Sequence, residues 1–180
     1  MDTKIIEIHQ NNIEKALIEE AAKIIKNGGV VAFPTETVYG LGANGLDVEA
    51  VKKIFRAKGR PQDNPLILHV CSIDQVEELV EEVPNIAKVC MERFWPGPLT
   101  IIFRKSSIVP DIITAGLDTV AIRMPNHSIA LELIRFSDGP IAAPSANISG
   151  RPSPTSAKHV IEDMMGKVDI RSLQTEEIYG

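Results

Sequence analysis

Four consecutive apolar residues, Val30-Val31-Ala32-Phe33, sit between a glycine pair and a proline. The run is too short for a helix and far too short to span a bilayer, so it reads as a buried strand. Before it, Ile13, Leu17, Ala21, Ile24 and Ile25 recur at helical spacing. Asn11 or Asn12 can cap that helix, and Asn27-Gly28-Gly29 stops it at about Lys26. After the run comes Pro34-Thr35-Glu36-Thr37-Val38-Tyr39-Gly40-Leu41-Gly42, dense in hydroxyls and glycines. A strand ending in such a loop sets donors where a ligand meets bare backbone.

The alternation continues. Further strands are expected at Ile5–Ile8, Leu66–Val70, Thr100–Phe103, Thr119–Arg123 and Pro140–Ala143. Helices are expected from Asp47 to about Ala57, around Val76–Val83, and over Ile86–Phe94, Ser128–Phe136 and Ser156–Met165. No repeat, low-complexity tract or composition break divides the 180 residues. They read as one α/β domain, a mixed twisted sheet flanked by helices. A net charge of −5 argues against bulk nucleic-acid binding and leaves a local basic patch open. No signal-peptide pattern opens the chain, and Cys71 and Cys90 make no metal spacing with each other or with a histidine. Reduced thiols, no metal site, no membrane contact and a cytoplasmic location are the expectation.

Gly40-Leu41-Gly42-Ala43-Asn44-Gly45 matches the dinucleotide pattern GxGxxG, but it does not directly follow its strand. The ribose-binding acid expected about 20 residues on is also misplaced, so that reading is not adopted. Lys52, Lys53 and Arg56 suit the end of a helix, where cations offset the macrodipole. Lys58 and Arg60 differ. Gly59 can end the helix and Pro61 biases Arg60 toward extended backbone, so the two cations can converge on one anion. Ser145 lacks a nucleophile elbow and an adjacent base. With Asn147, Ser149 and Ser153 it reads as a polar cradle for phosphate or ribose, stiffened by Pro144, Pro152 and Pro154. Arg123 reads equally as an anion clamp and as a strand-end salt bridge. His69, inside an apolar strand, reads first as a core histidine. Together the segments suggest a site for something small and anionic.

Five segments in this order resemble the YrdC-like family of threonylcarbamoyl-AMP synthases. They are Pro34–Gly42; Lys58-Gly59-Arg60-Pro61 with Asn64-Pro65-Leu66; Trp95-Pro96-Gly97-Pro98-Leu99-Thr100; Arg123-Met124-Pro125; and Pro144-Ser145-Ala146-Asn147 with Ser149-Gly150. The resemblance implies a YrdC-like twisted sheet around a large concave basic cavity. It implies a reaction of L-threonine, bicarbonate and ATP that gives threonylcarbamoyl-AMP and pyrophosphate. Partner proteins would then carry the threonylcarbamoyl group to tRNA. Residue by residue, the family's catalytic groups fall on Lys58, Arg60, Ser145 and Asn147. Its threonine contacts fall on Thr37, His69, Arg123 and the backbone at Ala143. Its ATP contacts fall on Arg60, Asn64, Thr119, Ser145 and Ser153. Mg²⁺ is expected to arrive on the ATP phosphates. After about Asp169 the sequence departs from the family pattern. The expectation is an altered or truncated tail over residues 170–180, with one sheet strand and part of the nucleotide wall missing and no additional C-terminal domain. Two other readings stay open: a paralogue making another carbamoyl-type adenylate, and a YrdC-like RNA-binding module without turnover, with weak RNA binding.

Overall fold

The computed structural model describes residues 4–8 and 14–174, with the backbone alone for Glu7 and residues 170–174. In chain order the strands are β1 (Lys4–Glu7), β2 (Val31–Phe33), β3 (Gly40–Asn44), β4 (Ile67–His69), β5 (Thr100–Arg104), β6 (Thr119–Arg123), β7 (Ile141–Ala142) and β8 (Ile170–Gln174). The helices are α1 (Lys15–Lys26), α2 (Val48–Lys58), α3 (Ile73–Leu79), α4 (Asn85–Phe94), α5 (Asp111–Thr114), α6 (Ser128–Ser137) and α7 (Ala157–Met164). The strands form one sheet in the order β1-β8-β2-β3-β7-β4-β6-β5. β8 runs parallel to β1 and β2, and β4 runs parallel to β6; the remaining pairs are antiparallel. The mixed sheet expected from the sequence is present.

Helix ends follow local chemistry. The Asp47 carboxylate accepts from the Glu49 and Ala50 N–H groups at the start of α2, and Gly59 closes that helix at φ 59°. The caps expected at Asn11 or Asn12 lie outside the described residues.

Two stretches differ from the sequence reading. Gly40–Asn44 is a strand, paired antiparallel with β2. Its glycines serve packing. A Cβ on Gly42 would come within 2.6 Å of the Ile141 side chain and 2.7 Å of the Phe33 ring. An antiparallel neighbour leaves no strand–helix–strand crossover for a dinucleotide site. The second stretch is Ile170–Gln174. The sheet strand expected to be missing after Asp169 is there as β8, seated between β1 and β2. Asp169 pins its start to both neighbours: its carboxylate accepts from Val30 N–H at 2.9 Å, and its carbonyl accepts from Lys4 N–H at 3.1 Å. Residues 175–180 lie outside the described residues.

The two faces of the sheet are covered unequally. On one face, α2, α3, α4, α5 and α7 pack a continuous core over Leu41, Leu68, Phe103, Val120, Ile122 and Ala142. On the other, α1 and α6 cover Val31, Phe33, Ile141 and Ala143. That second layer stops short of β4, β6 and β5. Along β6, Val120 and Ile122 are buried while Thr119, Ala121 and Arg123 are half-buried. Alternate residues point to opposite faces, so the last three share the uncovered side. Ile102 of β5, paired with Ala121, is 68% exposed there. This open half-face is where the sheet can receive a ligand.

Candidate active site

The floor of the site is set by register. Ile67 lies opposite Ala121 and His69 opposite Arg123 in the parallel β4–β6 pair, so these side chains share the open face. Thr35 and Val38 from the β2–β3 loop, Arg60 and Pro65 after α2, and Ala143 to Ser145 after β7 complete a cavity of about 230 Å³. Drug-sized pockets run about 300–1,000 Å³. The pocket suits a small molecule; it carries two arginines and opens onto the concave face of the sheet expected from the sequence. A bigger ligand must extend along the open floor. Thr119 lies on that floor four positions before Arg123, about 13 Å along the strand.

One end is organised around Arg123. Thr35 folds the loop that faces it. Its hydroxyl donates to the Val38 carbonyl at 2.7 Å and accepts from Thr37 N–H at 3.2 Å. Arg123 Nε donates to the Gly97 carbonyl at 3.2 Å, and Nη2 donates to the Thr37 hydroxyl at 3.3 Å. The same Nη2 lies 2.7 Å from Glu36 Oε1. The salt-bridge reading of Arg123 holds, and the residue also lines the cavity, where the anion-clamp reading would need it. Burial opposes ionisation of Glu36. The Arg123 guanidinium, with backbone groups at Asn126 and Glu36, outweighs it and holds the carboxyl below its ordinary range. His69 lines the cavity and is 4% exposed. Burial pushes its imidazole down to about 4, and Arg123 adds to this; the Ile67 and Ile141 backbones and Glu36 pull weakly the other way. At neutral pH it is an uncharged ring, edge-on to Phe33. The Ala143 N–H is already given to the Ile67 carbonyl at 3.1 Å, so that amide is not free for a ligand.

The other end carries Arg60. The chain leaves α2 through Gly59, and Arg60 Nη2 donates to the carbonyls of Asn64 at 3.4 Å and Pro65 at 3.2 Å. Among the described residues no carboxylate lies within ion-pair distance of it, and its buried Nε has no partner. Burial lowers its proton affinity, opposed by Asp63, and the guanidinium stays charged. Ser145 lines the cavity beside it.

Lys58 does not converge with Arg60 on the cavity, which corrects the sequence expectation. Its side chain is buried beneath the loop after β7. Nζ donates to the carbonyl of Ser145, to that of Asn147 at 2.5 Å, and more weakly to Asn147 Oδ1 at 3.4 Å. The last turn of α2 aims this side chain under the loop. Burial, reinforced by Arg60, brings its ammonium down to about 8. Asn147 is likewise buried and donates to the carbonyls of Ile148 and Arg151. Of the four expected catalytic groups, Arg60 and Ser145 face the cavity, while Lys58 and Asn147 hold the loop that carries Ser145. Among the ATP candidates, Asn64 supplies a carbonyl to Arg60, Thr119 lies on the floor, and Ser153 is exposed on the loop beyond. Lys52 pairs with Glu49 and Lys53 donates to the Gly28 carbonyl, both from the middle of α2 and away from the cavity; of the three cations expected at the helix end, only Arg56 lies in the last turn.

Sequence reasoning did not assign Glu36, the Gly97 carbonyl or Asp163. Asp163, nearly buried on α7, accepts from Ile148 N–H and holds Arg151 at 2.6 Å, bracing the Ser145 loop from its far side. Nothing in spacing could have paired Glu36 with Arg123 across the chain.

The family model Sua5/YciO/YrdC, described as "Telomere recombination", matches residues 23–179. The chain belongs to this family. It is 61% identical over 167 residues to threonylcarbamoyl-AMP synthase of Pyrococcus abyssi, covering 93% of this chain and 49% of the relative. It is 58% identical over 152 residues to the protein of the same name from Bacillus subtilis, covering 84% of this chain and 44% of the relative. A solved structure of P. abyssi Sua5 complexed with L-threonine superposes with a TM-score of 0.94 at 59% identity, over 97% of this chain and 51% of that one. The chain spans about half the length of these relatives. The Sua5/YciO/YrdC match extends past Asp169, through the stretch whose sequence departs from the expected motifs.

Proposed function

We propose that the chain makes threonylcarbamoyl-AMP and pyrophosphate from L-threonine, bicarbonate and ATP, for threonylcarbamoyl modification of tRNA. The single observation carrying this reading is the division of labour between two arginines in one cavity. Arg123 is pre-set by Thr37, Gly97 and Glu36, while Arg60 has no acidic partner.

The chemistry follows from that division. Carboxylated threonine is an anion that must attack an anionic phosphate, so the protein's task is to hold both and neutralise charge. Arg123 receives the threonine carboxylate. Neutral His69 and the Thr37 hydroxyl offer hydrogen bonds to the rest of the amino acid. Arg60 and Ser145 meet the phosphate, and the open floor toward Thr119 takes the nucleotide. Lys58 and Asn147 keep Ser145 in place. The lining is cationic or neutral, and the Glu36 carboxylate behind it is committed to Arg123, so Mg²⁺ enters as MgATP. Among the described residues no helix is long and apolar enough to cross a membrane. Cytoplasmic work with tRNA-modification partners completes the proposal.

The test is to incubate the protein with ATP, L-threonine, bicarbonate and Mg²⁺, and to measure pyrophosphate and the adenylate. Pyrophosphate release should require both threonine and bicarbonate. Equal release with threonine omitted contradicts the reading.

A further inference from the structure

We propose that Glu36 is a positioning residue for the amino-acid ligand, acting through Arg123, and this rests on the threonine reading above. Glu36 does not line the cavity, whereas Arg123 does. The Glu36 side chain is 20% exposed, and both its carboxylate oxygens are buried without an aligned hydrogen bond. Its close contact is the 2.7 Å approach to Arg123 Nη2. Backbone groups at Asn126 and Glu36 also lie beside the carboxylate, but of its neighbours Arg123 is the one that lines the cavity, so the path from Glu36 to a ligand runs through that guanidinium.

Arg123 is constrained from three sides. The Gly97 carbonyl takes Nε, the Thr37 hydroxyl takes Nη2, and Glu36 draws the same nitrogen electrostatically. Nη1 forms no hydrogen bond among the described residues and remains for a ligand carboxylate. A planar, pre-oriented fork binds a carboxylate with less loss of side-chain freedom than a mobile one. The neutral contacts to Gly97 and Thr37 are long and do not lock the fork by themselves. The negative charge of Glu36 supplies the remaining bias, and it lies on the loop that Thr35 folds.

The experiment compares wild type with Glu36→Gln by calorimetric titration of L-threonine and of MgATP. It also follows the Arg123 Nε–H signal by NMR on ¹⁵N-arginine-labelled protein. Glu36→Gln should weaken threonine about tenfold, leave ATP within about twofold, and broaden the Arg123 signal. In Arg123→Lys the further change Glu36→Gln should add no loss of threonine affinity, because the planar fork that Glu36 orients is gone although a cation remains. Unchanged threonine affinity in Glu36→Gln overturns the proposal. So does an equal fall for both ligands, which marks a general loss of structure. If Glu36→Gln does not fold, Glu36→Asp, which keeps the charge but shortens the reach, carries the same readouts. If wild-type protein binds no threonine, the functional reading fails and the Nε–H signal decides alone: broadening supports positioning by Glu36, and an unchanged signal overturns it.

Discussion

Arg123 and Arg60 line the same cavity and are held in opposite ways. Arg123 arrives from a sheet strand, backed by Glu36, a hydroxyl and a carbonyl. Arg60 arrives from a helix end and rests on two backbone carbonyls, with its Nε buried and unpartnered. A cation already paired with an acid presents direction more than charge, which suits one carboxylate. A cation without an acid keeps its full field, which suits a polyphosphate. Under the proposed function, the difference assigns recognition of the amino acid to geometry and recognition of the nucleotide to electrostatics.

The comparison can be broken first on stability. Arg123→Ala strands the mostly buried Glu36 carboxylate, and removing one partner of such a pair costs about 3–5 kcal/mol. Urea unfolding should show a loss toward the lower end of that range, since the pair is partly exposed, while Arg60→Ala leaves stability nearly unchanged. Comparable losses for both would erase the distinction.

The next effect concerns pH. His69 is neutral in the folded protein because burial lowers it to about 4, whereas the unfolded ring takes a proton near 6.5. Its contribution to stability is complete above pH 6.5 and is lost as pH falls toward 4, by about 3 kcal/mol. His127, also lowered by burial, moves stability in the same direction. The depressed Glu36 acts lower: its contribution is present above about pH 4.5 and lost as pH falls through its folded value. Denaturant midpoints from pH 7 to 4 should fall for wild type and flatten in His69→Gln. A slope unaltered by that substitution would refute the buried neutral imidazole.

Smaller again is the kinetic effect of Arg60. Losing a charge-assisted phosphate contact should cost about 1.5–3 kcal/mol, roughly ten- to a hundredfold in ATP-dependent turnover. Lys52→Ala, which removes a surface pair with Glu49, should stay within about 0.5 kcal/mol. Equal kinetic losses for the two would deny Arg60 its place facing the ligand.

Strands rich in β-branched residues, such as Thr119–Arg123, were legible because their alternation survives in the burial pattern. β3 was not, because Gly40 and Gly42 look like a turn until Phe33 and Ile141 are seen filling the space of their missing side chains. β8 escaped because Ile170-Arg171-Ser172-Leu173-Gln174 alternates poorly, and its place depends on Asp169 bonding to both β1 and Val30. At the site, Arg60, Arg123 and Ser145 were readable from residue type beside strand and helix ends, whereas His69 read first as a core histidine and joined the site only through the family resemblance. The placement of Lys58 was misread. Adjacency to Arg60 suggested a shared anion, but the last turn of α2 aims the side chain under Asn147. The Glu36–Arg123 pair depends on tertiary placement, which local pattern does not carry.

The most direct test is a crossed titration. L-threonine and MgATP are titrated separately into wild type, Arg60→Ala and Arg123→Lys. Arg60→Ala should weaken ATP by about tenfold or more and spare threonine, and Arg123→Lys should do the reverse. Each substitution weakening both ligands alike, or the two effects exchanged, would contradict the assignment of the two arginines to two different anions.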